Sequence, residues 1–183
     1  MNELSLYILD LTQNSVTAGA KNIRITISFD PGSDNLTIII QDDGCGMDEA
    51  LLKRVTSPFT TTRKTRKVGL GIPMIKQLCE MCEGTFRLES TVNVGTKLTL
   101  LFKASHVDLP PMGDLPDTFV ALINGTPEGI EFVLDYQKGN ESFLFDTKEI
   151  RQVLSGVMLN TPEVLMWIRE YIQEGIQAVD QVS

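Results

Sequence analysis

An apolar strand that ends in two carboxylates and two glycines constrains this chain more than any other feature. Leu36 to Gln41 is a nearly unbroken apolar run, rich in isoleucine, which suits a central position in a sheet. Asp42-Asp43-Gly44-Cys45-Gly46-Met47 then breaks it sharply. Glycines permit positive φ angles and let backbone approach a ligand closely. A carboxylate at a strand end, aimed into a pocket, is suited to accept from an exocyclic amine. The same run could form a plain tight turn. A calcium loop is excluded, because the later ligands and the glutamate at the twelfth position are missing.

The flanking segments give this strand its neighbours. Leu4 to Ala20 reads as a helix, with Leu4, Ile8, Leu11 and Ser15 at helical spacing. Ile23, Ile25, Ile27 and Phe29 alternate with polar residues, as in a half-buried strand. A short helix is expected over Asp48–Val55, and a loop rich in threonine and base over Thr56–Lys67. Gly69-Leu70-Gly71 opens another helix with Pro73 in its first turn and Gly84 as its stop. Thr85–Ser90 and Thr96–Lys103 close the piece as strands, giving the order α-β-β-α-α-β-β. His106–Asp117, with Pro110, Pro111, Pro116 and Gly113, reads as an ordered linker. Beyond it, strands are expected at Thr118–Ile123, Ile130–Gln137 and Ser142–Phe145. Helices follow at Lys148–Leu154 and Pro162–Val179, the latter started by Thr161-Pro162.

Three further constellations carry chemistry. Asp10 and Asn14 lie one turn apart on one face of the first helix. An amide oxygen is a hard ligand suited to Mg²⁺, and a carboxylate one turn earlier can orient or deprotonate an attacking group. A solvated helix face would explain the same pair. Gly69-Leu70-Gly71 at a helix start can bind phosphate through free N–H groups and the helix dipole. It is neither a Walker loop nor a dinucleotide fingerprint. Just upstream, Arg63, Lys64, Arg66 and Lys67 form either a solvated loop or a polyphosphate clamp. Gly95-Thr96 enters the last strand of this piece.

Charge divides the chain unequally. Residues 1–105 carry 12 Lys and Arg against 11 Asp and Glu, whereas residues 106–183 carry 4 against 13. The net charge of −8 disfavours loose nucleic-acid binding. No apolar run approaches the roughly 18 residues of a membrane span, and Met1–Leu9 does not read as a signal peptide. A cytoplasmic protein without membrane contact is therefore expected. One histidine, His106, disfavours a multi-histidine metal site. Cys45, Cys79 and Cys82 read as reduced thiols, with Cys79 and Cys82 as buried small hydrophobes. Trp167 in the last helix is expected to pack.

In order and spacing, the four constellations resemble the GHKL ATPase superfamily of gyrase B subunits, MutL, histidine kinases and anti-sigma-factor kinases. Asp10-Leu11-Thr12-Gln13-Asn14-Ser15 is similar to the N box, and Asp42–Met47 to the G1 box. Ser57-Pro58-Phe59-Thr60-Thr61-Thr62 with Gly69-Leu70-Gly71-Ile72 resembles the histidine-kinase lid and G2 box, and Gly95-Thr96 the last box. The resemblance covers about residues 3–105. It implies an α+β fold, a two-layer α/β sandwich of the Bergerat type, over residues 1–105. A linker at 106–117 and a small acidic α+β extension at 118–183 would complete it.

The resemblance also implies ATP and Mg²⁺ as ligands. Asn14 would hold Mg²⁺ on the phosphates, and Asp42 would accept from the adenine amine. Gly44, Gly46 and Met47 would shape the adenine pocket, and Thr96 would assist Asp42. Gly69, Leu70 and Gly71 would line the triphosphate, with Arg63 or Lys64 near the γ-phosphate. Asp10 is the candidate base, where family ATPases carry glutamate. A helix bearing a phospho-accepting histidine is not expected in this chain, so a partner would supply the acceptor. The implied function is phosphotransfer to, or nucleotide-gated regulation of, an unidentified protein partner. The alternatives are a non-catalytic ATP-sensing module and a slow stand-alone ATPase. A homodimer is left open. Family members carry elements before the N-box helix, which here begins almost at Met1, so the C-terminal elements are expected to cover the surface this leaves.

Overall fold

The alternation in the strands is realised as burial. In β1 (Asn22–Asp30) the residues Ile23, Ile25 and Ile27 are buried, and in β2 (Asn35–Asp42) Leu36, Ile38 and Ile40 are buried. The other phase of each strand faces away from this core. The structure is a computed structural model and describes residues 2–57 and 71–182.

Strands β3 (Thr85–Thr91), β4 (Gly95–Lys103), β5 (Glu131–Lys138) and β6 (Glu141–Asp146) join β1 and β2 in one six-stranded sheet of order β3-β4-β2-β1-β5-β6. β2 is central, as its apolar sequence predicts, and pairs antiparallel with β1 and β4. β5 adds to β1 in parallel, with Ile25 opposite Leu134. A parallel neighbour needs a crossover connection. That crossover includes α4 (Leu115–Gly125), which packs against α1 (Leu4–Thr17). Helix contacts run α3 (Gly71–Met81) to α1 to α4 to α6 (Pro162–Gln181), forming the second layer. Two short helices, α2 (Glu49–Val55) and α5 (Thr147–Val153), complete the chain.

One core spans both charge regions. Leu4, Ile8 and Ile25 belong to the same buried cluster as Phe119, Phe132, Phe145 and Ile168. Phe119 and Phe145 meet edge to face at 6.3 Å. Each fully buried phenylalanine contributes roughly 2–3 kcal/mol of transfer free energy.

The segment Thr118–Ile123, expected as a strand, is helical. Asp114 caps α4 by accepting from the Asp117 N–H at 2.9 Å, and Pro116 lies in the first turn. Leu115, Phe119, Leu122 and Ile123 then form a helical stripe that is buried. The β-branched and aromatic content of this run favours strand, but capping and burial of the stripe prevail. The proline segment before it ties down α1. The first helical N–H groups, of Leu4 and Ser5, donate to the carbonyls of Pro111 and Met112 at 2.9 and 2.8 Å. Among the described residues no helix is long and apolar enough to cross a membrane.

Candidate functional site

Asp42 is the last residue of β2 and continues the inward phase of Leu36, Ile38 and Ile40. Its carboxylate therefore emerges at the end of the sheet on the helix side. Ser15 of α1 donates to Oδ2 at 2.5 Å, and the Gly44 N–H donates to Oδ1 at 2.9 Å. A carboxylate has about four acceptor positions, so two donors leave it able to accept more. Asp43 points the other way. It accepts from the Lys21 and Asn22 N–H groups at 2.8 and 2.9 Å and from Asn22 Nδ2 at 2.9 Å. Burial opposes ionisation of Asp43, but these donors outweigh it and hold its pKa below the usual value.

The glycines are fixed by close approach. A Cβ on Gly46, whose φ is +68°, would lie 2.0 Å from the Thr91 carbonyl oxygen. A Cβ on Gly44 would press on Ala18 and on Asp42 itself at 3.0 Å. The Cys45 N–H donates to the Ala18 carbonyl at 2.8 Å, seating the turn on the end of α1.

Ser90 of β3 links the remaining pieces. It accepts from the Met47 N–H at 2.8 Å and lies 2.7 Å from Thr96 Oγ1, while Thr96 sits opposite Asp42 in the β2–β4 register. Neither Ser15 nor Ser90 was assigned a role from sequence. The signal was present in both. Each is a hydroxyl at an inward position of an otherwise apolar pattern, where it must find a polar partner.

These elements enclose a cavity of about 260 Å³. Asn14, Ser15, Asp42 and Thr96 supply its polar wall, and Ile40, Met47, Ile72 and Leu98 part of its apolar wall. An apolar cleft with a few convergent polar groups is the usual form of a small-molecule site. A larger depression of about 630 Å³ adjoins it and shares Asp42 and Thr96. Its other walls are charged residues of both signs, and Asn14 and Met47 do not reach it.

The structure thus brings Asn14, Asp42, Gly46, Met47 and Thr96 to one cavity, with Gly44 packed behind the turn. Asn14 Nδ2 is buried without a hydrogen-bond partner among the described residues. Asp10 lies outside the lining, and its carboxylate packs on Gly71 at the start of α3. A Cβ on Gly71 would come within 2.1 Å of Asp10 Oδ2. Glycine at 71 is what lets α1 and α3 meet there. Arg63, Lys64, Gly69 and Leu70 lie outside the described residues. Among the described residues, no group of three or more His, Cys, Asp or Glu side chains could hold a metal ion. The Asn14 amide can turn to present either Nδ2 or its oxygen. It fits a hard cation that takes most of its ligands from a bound phosphate and water.

Cys79 and Cys82 are buried within the core, and burial pushes the Cys79 thiol up to about 12 and raises Cys82 as well. They are unreactive packing groups. Cys45 is exposed.

Residues 2–106 match the family of histidine kinase-, DNA gyrase B-, and HSP90-like ATPases. The chain belongs to this family. Over 108 residues it is 33% identical to a "Putative sensor protein" of Shewanella frigidimarina, covering 58% of this chain and 16% of that protein. Over 86 residues it is 31% identical to a "Probable C4-dicarboxylate sensor kinase" of Bacillus subtilis, covering 47% of this chain and 16% of that kinase. The chain therefore spans about 16% of the length of these relatives. Among solved structures, the Aquifex aeolicus MutL ATPase domain complexed with ADP is similar with a TM-score of 0.53 at 14% identity. The alignment covers 84% of this chain and 69% of the MutL chain. At that identity the likeness is one of fold. It extends into the C-terminal elements, since residues 2–106 alone could not supply 84% of the chain.

Proposed function

We propose that the protein binds ATP with Mg²⁺ in the cavity beside Asp42, and that it acts on a protein partner by phosphotransfer or as a nucleotide-gated regulator. The observation that carries this reading is the pairing of an anchored carboxylate with an unsatisfied amide on one cavity wall. Asp42 is fixed by Ser15 and Gly44 and still has acceptor capacity for an adenine amine. Asn14 buries an amide whose Nδ2 finds no partner among the described residues, and leaving such a group unpaired costs about 1–3 kcal/mol. A bound phosphate with its metal ion would satisfy it. ADP bound to the MutL ATPase domain supports adenine-nucleotide chemistry for this fold.

Bound Mg²⁺ would supply charge neutralisation on the phosphates. The chain's own residues have separable tasks in this reading. Asp42 orients the base, Asn14 holds the metal–phosphate end, and Asp10, seated against Gly71, takes the proton of the attacking hydroxyl, imidazole or water. Arg63 and Lys64, with Gly69, Leu70 and Gly71, are proposed to face the phosphates. A cytoplasmic setting, and no nucleic-acid or membrane partner, go with this reading. So does the division into a nucleotide-binding part at 1–105 and an acidic part at 118–183.

ATP labelled on the γ-phosphate tests it with the purified chain and its co-purified proteins. Label transferred to a partner supports the kinase form, and free phosphate a slow ATPase. Saturable binding with neither supports the regulator. Asp10→Asn should leave binding within about threefold while lowering transfer or hydrolysis by roughly 10²-fold or more. Absence of saturable binding would overturn the proposal.

A further inference from the structure

Trp167 does not pack into the core. It is the only tryptophan of the chain and it is 44% exposed on α6. Tyr171, one turn on and 38% exposed, stacks on it with ring centroids 5.1 Å apart and planes 14° from parallel. Met166 beside them is 65% exposed. These residues share a stripe with three glutamates, since Glu163, Met166, Trp167, Glu170, Tyr171 and Glu174 follow helical spacing. The opposite side of α6 carries Ile168 and Ile172, both fully buried. Tyr171 also meets the Phe143 and Phe145 rings of β6, with centroids 5.5 and 6.3 Å away, so it anchors one edge of the stripe to the sheet while Trp167 and Met166 stay outside.

Charge sets the chemistry of what this face can receive. Most cations of residues 106–183 are engaged elsewhere. Arg169 bonds Asp117 at 2.5 Å and lies 3.6 Å from Asp114, Arg151 pairs with Glu131, and Lys138 sits over the Phe29 ring. Among the described residues Glu163, Glu170 and Glu174 form no ion pair, so the stripe keeps its negative charge. Exposed aromatics and methionine are the residues enriched at protein interfaces, while unpaired glutamates select against acidic and neutral partners. Stacked aromatic faces attract guanidinium and ammonium groups. Nucleic acid and anionic lipid are repelled by the same carboxylates. A symmetric pairing of two copies through this face would set glutamates against glutamates.

We propose that the outer face of α6 is a docking surface for a basic segment of a partner protein, with arginine or lysine interleaved with apolar residues. The apolar side chains would lie on Met166 and the aromatic pair, and the cations would bridge the glutamates and cap the rings. The surface is distinct from the nucleotide cavity, so this holds whether or not the nucleotide reading does.

A library of random 16-residue peptides displayed on phage tests this against the whole chain, with Glu170→Lys/Glu174→Lys as the counter-target. Peptides retained by the wild type and rejected by the variant should be rich in arginine or lysine alternating with apolar residues. Synthetic copies should shift the emission of Trp167 saturably, with affinity falling about tenfold or more in the charge-reversed variant and in Tyr171→Ala. Binding should also weaken with added salt. The three substituted residues are exposed, and an unchanged melting temperature of the charge-reversed variant would show that the fold is kept. Enrichment of acidic or neutral peptides, or equal retention by both proteins, would overturn the proposal. So would sedimentation showing that α6 buries this face in a homodimer.

Discussion

The two ends of the sheet are finished in different ways. At the far end the chain closes on itself. Tyr136 at the end of β5 donates to Asp180 of α6 at 2.9 Å, Ser105 donates to Asp34 at 2.5 Å, and the proline segment accepts from the start of α1. At the near end β2 and α1 bring Asp42 and Asn14 to a cavity, and Asn14 Nδ2 has no partner among the described residues. The far end also holds an open depression of about 490 Å³ beside Tyr136 and Asp180, so what sets the near end apart is the convergence of Asp42 and Asn14 on one cavity. In the proposed reading the far end is structural and the near end binds nucleotide.

Substitutions at the two ends should therefore separate binding from stability. The largest effect is expected for Asp42→Asn. An amide keeps the shape and can still accept from Ser15 or Gly44, but it turns a donor toward an incoming amine. Mg-ATP affinity should fall about 100-fold, equivalent to about 2.7 kcal/mol, with little change in melting temperature. Calorimetry and thermal melts on the same sample measure both. A large loss of stability with affinity intact would reverse the comparison.

Asn14→Ala should act more weakly and only through the metal. Mg-ATP affinity should fall about tenfold, and the deficit should shrink when the metal is chelated. Unaltered affinity in calorimetry would sink the assignment of this residue. At the far end, Tyr136→Phe removes a donor whose pKa is raised by burial and by Asp180. A hydrogen bond of this kind contributes about 1 kcal/mol, or roughly 2–4 °C in Tm for a chain of this length. Nucleotide affinity should not move, and a change in affinity matching that of Asn14→Ala would refute the division between the ends.

The near end was legible in the sequence because its determinants are local. The spacing of Asp10 and Asn14, and the glycines after β2, each specify geometry within a few residues. Positions that need a partner far along the chain were less legible. Nothing within residues 131–138 states that they pair in parallel with β1 rather than form a separate sheet. That choice follows from α4 packing against α1, and α4 was itself misread because its β-branched residues obscured the stripe of Leu115, Phe119, Leu122 and Ile123. Ser15 and Ser90 were visible as polar interruptions of apolar patterns, but their partners are set by tertiary structure. Trp167 was read as a packing residue because periodicity alone does not reveal which side of α6 faces the sheet.

Asp43 gives the smallest expected effect and the sharpest test, because it sits at the binding end yet behaves like the far end. Its three donors tie the end of β2 to the start of β1, and none of its bonds reaches the cavity. Asp43→Asn should leave Mg-ATP affinity unchanged and cost about 1 kcal/mol or less, since the group is exposed and screened. The pH dependence has a definite sign. The folded pKa is lowered, so the carboxylate's contribution is fully present above the unfolded value of about 4 and is lost as pH falls through the folded value. The Tm gap between wild type and variant should be constant near neutrality and close on acidification below about pH 4. A gap that widens in acid, or a loss of nucleotide affinity at neutral pH, would mean that Asp43 belongs with Asp42 in the binding site.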